Sequence, residues 1–244
     1  MTDRQGFSVS DGNFATKFST LQREKLASAP FDVGSLPHGW LSAVEAQLLY
    51  NVALIADGPV IEVGSWIGRS TCALAPGVRD NPKRPIFDVF DLGLVGCEGW
   101  KKAYGENSLE GQPKEIFDTL LHPGGTPALL VQNLHERDLH QYVNMIVLGD
   151  FKSSAVARQY SAAFCDAVHF KWEIDLNVPS LMKMMDRENF LIAFDDVWSL
   201  EACDYVAQMI GAERAVCLGG ESGDWQFKLS LMARGAYAQL DWFG

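Results

Sequence analysis

The chain is short of positive charge. Its 244 residues carry 20 Lys and Arg against 31 Asp and Glu, a formal net charge of -11. Gripping a phosphate backbone needs clustered Lys and Arg, so no nucleic-acid partner is expected. Long apolar runs are missing too. No stretch approaches the roughly 20 apolar residues of a membrane span, and no membrane partner is expected. The opening MTDRQGFSVSDG lacks the apolar core of a signal peptide. Cys72, Cys97, Cys165, Cys203 and Cys217 are scattered, odd in number and never in a C-x-x-C pair. That pattern argues against a disulfide framework or a structural zinc site. These absences together read as a cytoplasmic protein.

What is present is an ordinary globular composition, 48% hydrophobic and 21% charged, enough for a sizeable core. No repeat, low-complexity tract or composition shift marks an internal boundary. Residues 1–40 are mixed and polar, with a short helix predicted around Phe18–Leu26, and read as an N-terminal extension that caps the main domain. Residues 41–244 read as one domain. Ser42 with Glu45 three residues later is a capping box, followed by apolar Leu48, Leu49, Val52 and Ile55.

Strand signals then recur: PVIEV (59–63), IFDVF (86–90), NMIVL (144–148), AVHFK (167–171), FLIAF (190–194), AVCL (215–218) and WQFKLSLM (225–232). Helical patterns such as Asp175–Met185 and Leu200–Ile210 lie between most of them, which indicates βαβ units and a mostly parallel sheet. The last two strands are joined only by GGESGD, too short for a crossover, and should form an antiparallel hairpin at the sheet edge. The expected fold is therefore α/β, with seven strands and helices on both faces.

The segment Val60–Thr71, VIEVGSWIGRST, puts a glycine turn between a strand and a helix. Gly64 lets backbone approach a ligand, and a helix N-terminus offers free N–H groups to a carboxylate or phosphate. Ser70 and Thr71 add hydroxyls. Glu62 is an acid near the end of a buried strand and needs a partner there. A plain tight turn would explain the glycines equally well. Asp91 follows the second strand, where nucleotide-binding α/β folds place an acid for ribose hydroxyls. Asp150, beside Phe151, follows the third, where the pair could hold an adenine. The glycine spacing is not G-x-G-x-x-G, which counts against NAD or FAD.

In order, GWLSAVEAQLLY…GPVIEVGSWIGRST, VFDLG, VLGDFKS, DAVHFK and FLIAFDDVW resemble the motifs of class I S-adenosylmethionine-dependent methyltransferases. The resemblance runs from about Leu41 to Arg234. It is strongest to the small-molecule O-methyltransferase branch that includes catechol O-methyltransferase and macrolide-sugar methyltransferases. It implies a Rossmann-like fold with S-adenosylmethionine as cofactor. Glu62, Gly64, Ser65, Trp66 and Ser70 would hold the methionine part, Asp91 the ribose, and Asp150 with Phe151 the adenine.

Metal-dependent relatives carry an acid at the end of the fourth strand and a pair after the fifth, which bind Mg²⁺. The pair is present here as Asp195-Asp196. The fourth-strand position reads as Lys171, which would repel a cation, so Mg²⁺ is not expected and no metal ligand is assigned. Lys171 would instead pair with Asp195 or Asp196, and these three are the candidate catalytic residues. Glu173 would take the site if the register slipped. A simple ion pair at the strand ends explains the same three residues without catalysis. His169 reads as a packed histidine in a strand interior.

The implied activity is methylation of a hydroxyl or amine on a small molecule, in secondary metabolism, with a homodimer left open as the assembly. Two alternatives use the same fold: a cyclase or lyase that consumes the cofactor and releases methylthioadenosine, and a non-catalytic nucleotide-binding module.

Overall fold

We describe residues 15–153, 158–197, 199–218 and 228–243 of a computed structural model of the chain. One eight-stranded sheet organises them. Its strands are β1 (Ala15–Lys17), β2 (Val60–Val63), β3 (Phe87–Asp91), β4 (Met145–Leu148), β5 (Ala162–Cys165), β6 (Phe190–Phe194), β7 (Arg214–Cys217) and β8 (Ser230–Arg234). They lie in the order β1-β7-β8-β6-β5-β2-β3-β4, all pairs parallel except those of β8, which is antiparallel to both neighbours.

The interior strands are mainly apolar on both sides, Glu62 and Asp88 apart, because helices cover both faces. Alternate residues feed two cores. Ala162, Phe164, Leu191 and Ala193 enter one, and Ala163, Cys165, Ile192 and Phe194 the other. The first core is closed by α2 (Ala43–Leu54), α3 (Thr71–Asp80) and α6 (Gly125–Glu136), the second by α7 (Lys171–Met182) and α8 (Leu200–Ile210). Two further helices, α4 (Gly96–Tyr104) and α5 (Lys114–Leu121), follow β3 and carry a small core of Leu94, Leu109, Ile116 and Leu120.

The capping box forms: Ser42 N–H donates to Glu45 Oε2 at 2.8 Å, and Glu45 N–H to Ser42 Oγ at 3.4 Å. Buried Glu45 also accepts from the Lys228 N–H at 2.7 Å, tying α2 to the chain entering β8.

The structure differs from the sequence reading in three places. The fourth strand of the main domain is β5, Ala162–Cys165, and AVHFK is a loop running into α7, with Lys171 its first residue. AAFC is buried throughout and paired on both sides, whereas His169 and Lys171 are exposed beyond its end. Secondly, an eighth strand exists. Residues 15–17 add β1 to β7, so the β7–β8 hairpin lies one strand inside the edge. The same N-terminal segment forms α1 (Thr20–Glu24), capped by Ser19. Thirdly, the helix predicted over Asp175–Met185 begins at Lys171. The loop GGESGD and residues 225–227 of the last predicted strand lie outside the described residues.

Candidate functional site

Leaving β2 for β3 and β4 takes the chain to one side, and β5 returns on the other side of β2. At such a switch point the crevice outside the strand carboxyl ends is open, which is where open sheets bind ligands. The β2–α3 turn lines it. Gly64 sits at φ +85°, and a Cβ there would lie 2.3 Å from the Asp166 carbonyl oxygen, so only glycine fits. Trp66 is held at φ 51°, unusual for a bulky residue.

Asp91 holds that turn in place. Its Oδ2 accepts from the Ser65 N–H at 2.9 Å, the Trp66 N–H at 2.8 Å and the Ser65 hydroxyl at 3.3 Å, and its Oδ1 accepts from the Gly93 N–H at 2.8 Å. Burial raises its pKa despite these donors. Glu62 is fully buried. Its Oε1 accepts from the Ser70 hydroxyl at 2.5 Å, and its Oε2 has no partner. Burial pushes the carboxyl up to about 8.

A cavity of about 750 Å³ opens above these strand ends. Of the predicted cofactor residues, Gly64, Trp66, Asp91, Asp150 and Phe151 line it, whereas Glu62, Ser65 and Ser70 do not. Those three act on the turn from within. Asp150 accepts from the Lys152 N–H at 3.1 Å and pairs with its ammonium at 3.4 Å.

Next to the turn the lining continues through Asp166, the residue directly after β5, to His169 and Glu173. His169 Nε2 lies 3.3 Å from Asp166 and 3.5 Å from Asp196, and its Nδ1 lies 3.3 Å from Glu173. The bond to Asp166 first, then the surrounding carboxylates, push His169 up to about 9 against the opposing effect of burial. Asp195 and Asp196 follow β6, and Asp196 sits at φ 56°. Burial, then the charges of Asp166 and Asp196, raise Asp195 well above the carboxylate range.

Lys171 is not part of this cluster. As the first residue of α7 it points away, its side chain 72% exposed, and pairs with Asp175 at 2.8 Å and Tyr205 at 2.9 Å. The lysine that does meet the acid pair is Lys228, whose ammonium lies 3.0 Å from Asp196 Oδ1. With Asp166 at the end of β5, the reason for excluding a metal at that strand also falls away. Among the described residues Asp166, His169 and Asp196 bring one ligand atom each within 4.8 Å of one another. The set does not fit Mg²⁺, which favours carboxylate and water oxygens. One donor is an imidazole, and Asp196 already carries the Lys228 ammonium.

Sequence reasoning missed Asp166, His169 and Lys228 as site residues. The signal for Asp166 was an acid closing the apolar run YSAAFC, weak because alanine and cysteine say little about strand. His169 followed once β5 was misplaced. Lys228 is brought in by long-range pairing of β8 and left no local signal.

Sheet order, turn and crevice together define a Rossmann-like domain of the methyltransferase type. No protein-family model matches the sequence, and no curated protein matches it. Solved structures do match. The chain is similar to the cofactor-bound Rv0187 from MTB, at 19% identity over 82% of this chain and 83% of that one, with a TM-score of 0.52. It is similar also to CalS11, a calicheamicin methyltransferase, at 15% identity over 78% of this chain and 77% of that one, with a TM-score of 0.50. What is shared at such identities is the fold.

Proposed function

We propose that the chain is an S-adenosylmethionine-dependent transferase that methylates a hydroxyl or amine of a small molecule. One observation carries the reading: the glycine turn after β2, Asp91 at the end of β3 and Asp150 after β4 line the same cavity as a histidine set among carboxylates. Bound there, S-adenosylmethionine would supply a methyl group on a sulfonium, already an activated electrophile.

The residues divide the remaining work. Gly64 and Trp66 lie where the methionine part would sit, on a turn that Glu62, Ser65 and Ser70 keep in shape. Asp91 Oδ1 accepts one hydrogen bond and keeps a lone pair for a ribose hydroxyl. Asp150 and Phe151 face an adenine. His169 in its neutral form takes the acceptor's proton, and Asp166 and Asp196 stabilise the imidazolium that results. Lys228 supplies beside Asp196 the positive charge that a metal supplies elsewhere, so activity needs no Mg²⁺. A role in cytoplasmic small-molecule biosynthesis fits this reading, supported by the calicheamicin methyltransferase among its fold relatives. Among the described residues no helix is long and apolar enough to cross a membrane.

The test is product analysis with S-adenosylmethionine and a panel of small hydroxyl and amine acceptors. S-adenosylhomocysteine should form, and EDTA should not abolish its formation. Methylthioadenosine as sole product would replace this reading with the cyclase or lyase.

A further inference from the structure

Large aromatic side chains exposed to water are a liability unless something covers them. Among the described residues five large aromatics are exposed: Trp40 at 64%, Trp172 at 63%, Phe170 at 61%, Tyr104 at 46% and Tyr205 at 38%. All but Tyr205 line the one cavity described above. Tyr205 is explained by its bonds to Lys171 and Asp175.

The other four converge from separate parts of the chain. Trp40 comes from the segment before α2, Tyr104 from the end of α4, and Phe170 and Trp172 from the start of α7. Phe170 and Trp172 present rings parallel to within 9°, with centroids 6.4 Å apart. Tyr104 continues an aromatic row through Trp100, at 4.7 Å between centroids, to Trp66 at 5.6 Å. The indole N–H groups of Trp66 and Trp100 are buried without an acceptor, and buried indole N–H groups ordinarily find one.

Charge narrows the occupant further. Among its described residues the cavity wall carries Asp91, Asp150, Asp166 and Glu173 against Lys152 and His169. Both cations are already bound to acids, Lys152 to Asp150 and His169 to Asp166 and Glu173. Among the described residues of the wall no free cation is left to receive a carboxylate or phosphate.

From these observations we infer that the methyl acceptor is a flat aromatic molecule without an anionic group, stacked on Phe170 and Trp172 with its hydroxyl or amine turned toward His169. This rests on the transferase reading, because the turn side of the cavity is taken to hold the cofactor. Aromatic stacking and a wall of acids then select the acceptor by shape and by charge.

Three bicyclic probes separate these features: 2-naphthol, its saturated counterpart decahydro-2-naphthol, and 6-hydroxy-2-naphthoate. Their binding to the full chain is followed by tryptophan fluorescence, with and without S-adenosylhomocysteine, whose own binding is titrated in parallel. 2-Naphthol should bind about tenfold more tightly than either other probe. Trp172→Ala and Phe170→Ala, both at exposed side chains, should each weaken 2-naphthol several-fold and leave S-adenosylhomocysteine affinity unchanged. Equal binding of the saturated probe would overturn the stacking argument, and equal binding of the naphthoate the charge argument. If the two variants weaken S-adenosylhomocysteine instead, the aromatic wall belongs to the cofactor and the inference fails. Binding of 2-naphthol without any binding of S-adenosylhomocysteine would sustain the aromatic site and reject the transferase reading.

Discussion

His169 carries the most specific chemistry. Its ring contacts Asp166 and Asp196 through Nε2 and Glu173 through Nδ1. Carboxylates on both sides favour the imidazolium, so the pKa is pushed up from the usual 6.5 to about 9. The proton-accepting form is neutral and therefore grows as pH rises toward 9. Turnover with an alcohol acceptor should climb between pH 7 and 9, and His169→Gln should lower it by roughly 10²–10⁴-fold and remove the climb. A flat wild-type profile across that range would rule out His169 as the base. The two lysines give a paired contrast. Lys171 has its partners on α7 and α8, so Lys171→Met should leave turnover unchanged. Lys228→Met should reduce it, because Asp196 loses the ammonium 3.0 Å away and a half-buried carboxylate is left facing Asp195 and Asp166. Steady-state kinetics of both variants at neutral pH checks the contrast, and the opposite ranking would restore Lys171 to the site.

At the scale of elements, the β2–α3 turn and the end of β5 are interlocked. Gly64 has no room for a Cβ against the Asp166 carbonyl, and its φ of +85° disfavours any other residue. The left-handed backbone alone costs about 1–2 kcal/mol per non-glycine residue. Gly64→Ala should therefore push the turn off Asp91 and weaken S-adenosylhomocysteine at least about tenfold, read by titration on protein whose circular dichroism is native. Unchanged affinity would mean that the turn does not shape the cofactor half.

This interlock also shows what the sequence could disclose. β2, β3, β4, β6 and β7 were legible because each is a short, mainly apolar run, interrupted only by Glu62 in β2 and Asp88 in β3, that ends near a polar residue or glycine. The turn and Asp91 were legible because their signals are local. β5 was not, since AAFC has weak strand preference and the neighbouring AVHFK mimics a β-rich run. That single slip of five residues hid Asp166, misread His169 as core, and placed Lys171 in the site. β1 was invisible for a different reason. Three residues at a sheet edge show no periodicity, and only pairing with β7 defines them.

At the scale of the whole molecule, the order β5-β2-β3 opens a crevice, the two helix layers close both faces, and acids surround the cavity. Such a net negative wall suits a sulfonium cofactor and disfavours anionic acceptors. The central claim is that this crevice binds S-adenosylmethionine, and it can be tested without knowing the acceptor. The measurement is calorimetric titration of the full chain with S-adenosylhomocysteine, paired with a thermal melt. One molecule should bind per chain, and at a hundredfold excess over Kd the native state should gain about 2.7 kcal/mol and melt at a higher temperature. A folded wild-type protein that gives no binding heat and melts unchanged would contradict the account.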